Sequence, residues 1–224
     1  MARVGHTRRV AIYDTRVPAA GRPLDHVEFG PGTGPDLDRR LLGDVQGRHV
    51  LVLGCGAGHD AVGLARRGAI VTAVDADIDQ LGAGRELATR EEASVAFHQA
   101  GLAELAFLQA EQMDLVVSVH SLCFVDDLDR VFRQVHRILE HGGRFTMSIP
   151  HPATLAADPS DPNRTIRPWD DLEPVAGRFI HRAEDLVTAL HRANFEIDVL
   201  LERSGPAPAL GPVTLIARGE KLGT

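Results

Sequence analysis

The stretch from His49 to Asp75, HVLVLGCGAGHDAVGLARRGAIVTAVD, constrains the fold more than any other part of the chain. It reads as an apolar strand, a turn with glycines at Gly54, Gly56 and Gly58, a helix, and a second apolar strand ending in a carboxylate. Glycines let backbone lie close against a ligand and take turn angles that a Cβ forbids. The helix that follows aims its unpaired N–H groups at whatever occupies the turn. Asp75 stands twenty-one residues after Gly54, where a carboxylate can accept two hydrogen bonds from a ribose diol. The unit is therefore a nucleoside-binding βαβ unit, and the question is which nucleoside it takes.

Later segments extend the alternation of strand and helix. Strands are expected at Val95–Gln99, Leu115–His120, Arg144–Ile149, Phe195–Glu202 and Val213–Ala217. A helix after Asp77 is weakened by Gly82 and Gly84, each costing about 1 kcal/mol against alanine. The best-marked helix is Leu128–Glu140, where Leu128, Val131, Phe132, Val135, Ile138 and Leu139 fall on one face. Asp126 or Asp127 can cap it, and Gly142-Gly143 should end it and open the next strand. Another amphipathic helix is expected at Ala183–Ala193. Strands alternating with helices imply a mostly parallel sheet covered on both faces. The final two strands are joined by a short loop without a helix, so the last should run antiparallel. Residues 1–47, rich in glycine and proline, are expected to form an N-terminal lid or cap over a domain at 48–224. That domain carries a proline-rich insertion at about 150–180.

With these segments in order, the chain resembles the class I S-adenosylmethionine-dependent methyltransferases, in their small-molecule, UbiE-like branch. The likeness covers about Leu42 to Ala217. VLVLGCGAG is similar to the family's first motif, and VTAVDAD to its second. FHQAGLAEL is similar to its adenine-contacting segment, and the stretch from Asp114 to Pro152 to its fourth strand, following helix and fifth strand. The resemblance implies a Rossmann-like α/β sheet of seven strands, mostly parallel with an antiparallel last strand and helices on both faces. It implies S-adenosylmethionine as cofactor and S-adenosylhomocysteine as product, with no metal. Gly54, Cys55, Gly56, Gly58, Asp75, Ala76, Asp77, Gly101, Leu102, Ser118, Val119 and His120 would then surround the cofactor. Two positions depart from the family. Val52 stands where an acid is usual, and Gly101 where an aspartate often meets the adenine amino group.

His120 ends the fourth strand and His151 follows the fifth, so both fall at the carboxyl rim of the sheet, where ligands bind. Either imidazole could take a proton from a hydroxyl or amine as it attacks, or simply pack there. His151, Arg167 and Trp169 could line an acceptor pocket, and Tyr13, Asp14, His26 and Phe29 could close over it. Asp126, Asp127 and Asp129 suit a helix cap better than a divalent metal. Cys55 lacks a basic neighbour in sequence that would favour a thiolate.

Composition narrows the class. The chain of 224 residues carries a net charge of −7 and no basic block, so nucleic acid is not the expected partner. No apolar run is long enough to span a bilayer, and the N-terminus lacks the apolar core of an export signal. The two cysteines show no metal-ligand spacing, which fits a reduced, cytoplasmic protein. Lys221 is the one lysine against many arginines, the bias of a GC-rich bacterial genome. The expected partner is a small-molecule acceptor methylated on O or N, in a bacterial secondary pathway. The acceptor's identity and the oligomeric state are not readable. Two other readings stay open: a nicotinamide-dependent oxidoreductase, and a methyltransferase-like protein that transfers no methyl group.

Overall fold

The His49–Asp75 unit folds as its pattern requires. In the computed structural model, which describes residues 24–158, 160–205 and 209–223, β1 (His49–Leu53), α2 (His59–Arg66) and β2 (Ile70–Asp75) follow one another. α1 (Pro35–Leu42) precedes them, and α3 (Ile78–Arg90), β3 (Val95–Gln99) and β4 (Met113–Val119) come after. A 3-10 turn, Leu122–Phe124, leads to α4 (Leu128–Ile138) and β5 (Leu139–Pro150). The insertion holds α5 (Pro152–Leu155), β6 (Ala157–Asp158) and β7 (Asp161–Thr165). α6 (Ala183–Arg192), β8 (Phe195–Ser204) and β9 (Pro212–Lys221) complete the chain.

Seven strands form one sheet in the order β3-β2-β1-β4-β5-β9-β8. β9 runs antiparallel to both β5 and β8, and the other neighbours pair in parallel. Parallel strands covered on both faces need near-continuous apolar runs, which VLVL in β1 and LVV in β4 supply. Alternate side chains then feed two cores. Leu51, Leu53, Val116 and Phe145 pack under α4 and α6, with the rings of Phe132 and Phe145 edge-on at 5.2 Å. Val50, Val52, Val117 and Ile216 pack against α1, α2 and α3 on the other face. α4 buries Leu128, Val131, Phe132, Val135 and Ile138, each worth about 1.5–3 kcal/mol of transfer free energy.

Several local expectations are revised. α3 runs through Gly82 and Gly84 because Asp77 caps it, accepting from Asp79 N–H at 2.9 Å and Gln80 N–H at 3.3 Å. Gly84 also has a packing role, since a Cβ there would lie 2.8 Å from the Phe97 ring. α4 stops at Ile138, earlier than its apolar pattern suggests, and Leu139 already pairs with Met113 in the sheet. The pairing then jumps to Leu115–Arg144, with Gly142 at φ +73° inside the irregular stretch of β5.

Of the expected N-terminal segment 1–47, residues 24–47 are described, and they contribute to the core. Val27, Phe29, Leu41, Leu42 and Val45 are buried in the second core. Asp38, 1% exposed, accepts from Val27 N–H at 3.1 Å and pairs with Arg67 of the α2 C-terminus at 2.7 Å. Burial pushes its carboxyl up, against the opposing pull of Arg67. Arg218 of β9 caps the other end of α1, donating to the carbonyls of Arg40 and Leu41 at 3.1 and 2.6 Å.

His136 of α4 packs edge-on against Phe195, and its Nε2–H donates to the Leu222 carbonyl at 3.3 Å. Burial holds this imidazole below the ordinary value of 6.5, and the Lys221 ammonium acts the same way. Below that value the unfolded chain takes up a proton that the folded chain resists, so stability falls as pH falls. The His136→Gln variant should lose less melting temperature than the wild type between about pH 7.5 and 5.5. Parallel slopes in thermal scans would contradict the assignment.

Candidate functional site

The carboxyl ends of β1 and β2 are tied together before any ligand arrives. Gly54 and Cys55 N–H both donate to the Val74 carbonyl, at 2.8 and 2.9 Å. The Asp75 carboxylate accepts from Gly56 N–H at 2.8 Å through one oxygen and from Asp77 N–H at 3.0 Å through the other. Each oxygen keeps a second lone pair for a ligand hydroxyl. Gln99, at the end of β3, donates to the Ala76 carbonyl at 3.1 Å. Gly54 is required by the protein's own packing as well as by its φ of +74°. A Cβ there would lie 2.2 Å from Cβ of Ser121. Ser121 cannot retreat, since its hydroxyl donates to the Leu53 carbonyl at 2.8 Å and meets the Ser118 hydroxyl at 2.6 Å.

These strand ends open into a cavity of about 490 Å³, lined by Gly54, Asp75, Ala76, Asp77, Gly101 and Leu102. That volume lies within the range of small-molecule sites, about 300–1,000 Å³. Its wall combines acceptor carboxylates with the apolar side chains of Leu102, Ala103, Phe124 and Val125. Such a set fits a nucleoside: hydroxyl donors meet carboxylates, and a flat base lies between apolar faces.

The region around this cavity also has known counterparts. Residues 51–147 match the family described as a methyltransferase domain. Over these residues, which run from β1 into β5, the chain is similar to methyltransferase domains. An Alkalilimnicola ehrlichii ubiquinone biosynthesis O-methyltransferase is 34% identical over 113 residues, 50% of this chain and 46% of that protein. The Penicillium fellutanum methyltransferase phqN is 29% identical over 68% of this chain and 47% of its own length. The matched part thus spans about half the length of these curated relatives. Among solved structures, an S-adenosylmethionine-dependent methyltransferase from Mesorhizobium loti superposes with a TM-score of 0.73 at 24% identity, covering 82% of this chain and 95% of that one. The cyclase SpnF superposes with a TM-score of 0.68 at 21% identity, covering 84% and 80%. At these identities the likeness shows the fold. The family match displaces the nicotinamide oxidoreductase reading, which rested on the glycine turn alone.

The structure distributes the other expected residues unevenly. Cys55, Gly56, Gly58, Ser118, Val119 and His120 do not line the cavity. Gly56 and Ser118 stand behind its wall through Asp75 and Ser121. Burial, with the nearby Asp75 charge, pushes the Cys55 thiol far up, so it stays protonated. Val52 is 2% exposed among Val50, Val119 and Ile216, in a setting that suits no charge. Asp127 caps α4, accepting from Arg130 N–H at 2.9 Å, while Asp129 pairs with Arg192 at 3.2 Å. Among the described residues no cluster of three or more such side chains could hold a metal ion.

His120 is 3% exposed, its backbone at φ +50°. Its N–H donates to the Ser148 carbonyl at 2.8 Å and its Nε2 lies 3.4 Å from the Thr214 hydroxyl. His151 has both ring nitrogens engaged. Nδ1 accepts from Ala153 N–H at 3.1 Å, capping α5, and Nε2–H donates to Glu202 at 3.1 Å. This corrects the expectation of a ready proton acceptor there: the ring pins the insertion to β8. Phe29 is also corrected, because it is wholly buried in the second core and offers no surface to an acceptor. His26 pairs with Asp25 at 2.7 Å and Arg167 with Asp171 at 2.7 Å. Trp169 is 56% exposed. Tyr13 and Asp14 lie outside the described residues. Sequence reasoning missed Glu104, Ser121, Phe124 and Arg130, all lining the cavity. Their signal was position alone: three follow β4, where a parallel strand delivers its next turn to the ligand rim.

The insertion supports the cavity from outside. Phe124 forms part of the wall, and the Arg178 guanidinium stacks over its ring at 5.2 Å. Phe179 N–H donates to the Cys123 carbonyl at 2.7 Å, and His181 Nε2–H to the Val125 carbonyl at 2.7 Å. Cation–π stacking of a partly desolvated arginine is worth about 0.5–2 kcal/mol. Arg178→Ala should therefore weaken binding of S-adenosylhomocysteine several-fold by calorimetry, with Arg178→Lys retaining more than half the lost binding energy. Unchanged affinity in both variants would show that the strap does not shape the pocket. Gly54→Ala should cost about 2–4 kcal/mol, from the left-handed backbone and the clash with Ser121. A melting temperature within a degree of the wild type would refute that clash.

Proposed function

We propose that this chain is an S-adenosylmethionine-dependent methyltransferase that methylates an oxygen or nitrogen of a small molecule. The observation that carries the reading is the cavity in which Gly54, Asp75, Ala76, Asp77, Gly101 and Leu102 meet at the ends of β1, β2 and β3. Asp75 would take the ribose hydroxyls, and the turn from Gly54 to Gly58 would hold the methionine end. Support comes from the methyltransferase family match. A Burkholderia thailandensis 1,6-didemethyltoxoflavin-N1-methyltransferase adds further support: it superposes with a TM-score of 0.59 and was crystallised with S-adenosylhomocysteine and its acceptor. When bound, S-adenosylmethionine supplies a methyl carbon already activated by a sulfonium. The chain's own task is then to align the acceptor and exclude water, which accounts for much of such an acceleration.

The acceptor would lie at the rim beyond β4 and β5, beneath the insertion. His120, at the end of β4, would take its proton; both ring nitrogens of His151 bond within the protein, to Ala153 and Glu202. A hollow of about 130 Å³ between α5, β7 and the start of β9, lined by Leu155, Pro162, Val175 and Val213, would receive an apolar part of the acceptor. The reading extends to bacterial secondary metabolism, and a cytoplasmic site would suit the buried free thiols of Cys55 and Cys123. A second reading, a methyltransferase-like protein that transfers no methyl group, draws on the apolar surroundings of Val52 and the likeness to a cyclase.

Titration calorimetry with S-adenosylhomocysteine tests the core claim. Wild type should bind, and Asp75→Asn should bind at least tenfold more weakly, a loss of about 1.4 kcal/mol. Absence of binding to the wild type would overturn the proposal. Tight binding combined with transfer of no labelled methyl group to hydroxyl or amine acceptors would favour the second reading.

A further inference from the structure

The insertion encloses a second space. The hollow of about 130 Å³ is bounded by α5, β6, β7, the turn at Val175 and the segment that enters β9. Each wall is tied to a neighbour. The Thr154 hydroxyl of α5 donates to the Pro212 carbonyl at 3.3 Å, and His151 N–H to the Val213 carbonyl at 2.9 Å. Leu210 N–H donates to the Asn163 side chain of β7 at 2.8 Å. Val175 and Arg178 exchange two backbone hydrogen bonds, at 2.9 and 3.0 Å, across Ala176 and Gly177, which both have positive φ. That is the pattern of a tight type I′ turn. The same Arg178 stacks over Phe124 of the larger cavity, so one strap borders both spaces.

The wall decides what would fit. Leu155, Ala157, Pro162, Val175 and Val213 give the hollow an apolar lining, and Leu155 and Val213 are buried. Its polar groups are already engaged. Ser160 donates to Asp158 Oδ1 through both its N–H and its hydroxyl, and Arg164 pairs with Oδ2 at 3.2 Å, so that charge is matched. Among the described lining residues Thr154 carries the one side-chain donor, and it is committed to Pro212. An anion entering the hollow would therefore lose water without gaining a partner. Water itself finds few of the polar partners that would hold it there, and an apolar group needs none. Size sets the second limit. A hydrocarbon-lined cavity of about 150 Å³ takes one benzene ring, so a hollow of about 130 Å³ suits a group of that bulk.

We propose that this hollow is a subsite for one compact, uncharged apolar group, a single arene ring or a branched alkyl group of the same bulk, and that it rejects carboxylates and fused bicyclic groups. The strap shared with the larger cavity assigns that group to the acceptor, a step that rests on the methyl-transfer reading given above. The acceptor is then a small molecule with an aromatic or branched aliphatic part, and molecules polar throughout, such as sugars, fall outside the class.

The test titrates the full chain, with carbon-13-labelled leucine and valine methyl groups, with toluene, benzoate and naphthalene in turn. Toluene should shift the methyl resonances of Leu155, Val175 and Val213 saturably. Benzoate, of similar shape but charged, should bind at least tenfold more weakly. Naphthalene separates the hollow from a merely greasy surface, which would prefer it because it buries more apolar area; here it should bind at least fivefold more weakly than toluene. Val175→Phe and Ala157→Leu each fill the space from a different wall, and each should weaken toluene at least tenfold. No saturable shift at the three residues, benzoate or naphthalene binding as tightly as toluene, or unchanged toluene binding in both variants would each overturn the proposal. The wild-type comparisons stand even if a filled variant does not fold. Calorimetry with S-adenosylhomocysteine on the same sample keeps the two readings apart. Its binding without a toluene site overturns the subsite alone, and a toluene site without its binding overturns the methyl-transfer reading and the assignment to an acceptor.

Discussion

One carboxylate joins the parts of the site. Asp75 accepts a backbone N–H from the glycine turn after β1 and another from the start of the turn into α3. Through these bonds the end of β2 fixes the path of residues 54–58 and the direction in which α2 begins. Asp77, held by one of them, caps α3, and Gln99 secures Ala76 from β3. The ends of three strands are thus set relative to one another by hydrogen bonds through two side chains, Asp75 and Gln99. A site ordered in this way loses little further conformational freedom when a ligand enters, which is the main economy of preorganisation.

The packing around this joint is close wherever the backbone must come near itself. Ser121 fills the space over Gly54, and the Gly58 Cα faces Gly84 across α2 and α3, where a Cβ would approach to 2.9 Å. On the opposite side, the 3-10 turn after β4 is held between Ser121, which bonds the end of β1, and the insertion, which backs Phe124 and Val125. Val52 belongs to the same economy. An acid at its position would have to be desolvated among Val50, Val119 and Ile216, a cost that only a partner charge could offset. The apolar choice stabilises the sheet and, on the proposed reading, would leave the methionine end of the cofactor to the backbone N–H groups of the turn.

Much of this was legible in the sequence because it depends on local pattern. β1, β2 and β3 fall where alternation of apolar runs and glycine places them, and the reversal of β9 follows from the lack of a helix between β8 and β9. Boundaries set by tertiary pairing were not legible: nothing local says that Leu139 leaves α4 to pair with Met113. Six of the expected cofactor residues, Gly54, Asp75, Ala76, Asp77, Gly101 and Leu102, line the cavity, and their positions were readable for a related reason. Its contacts come mostly from backbone and from carboxylates at strand ends, and strand ends can be found by pattern. Phe29 and His151 misled because an aromatic or an imidazole in an irregular segment carries no mark of its direction. The core took the one, and a helix cap with Glu202 took the other. Glu104 escaped notice because its place over Gly101 is created by a residue that is absent, a Cβ.

The reversed β9 has a consequence for how such a protein can change. Because it runs against β5, its first residues lie beside the last residues of β5, with Thr214 opposite Pro150 and His151 N–H bonded to the Val213 carbonyl at 2.9 Å. The insertion after β5 and the segment entering β9 therefore both emerge at one half of the rim, while the cavity lined by Gly54, Asp75 and Gly101 lies at the ends of β1, β2 and β3, at the other half. On the proposed methyl-transfer reading, drift in those two loops would recast the choice of acceptor without disturbing the donor's contacts, and the loops are also the stretches with least sequence pattern. The two halves meet where Arg178 and Phe179 back Phe124 and Cys123. New acceptor chemistry can accumulate freely on one side of that seam only while the seam itself is kept.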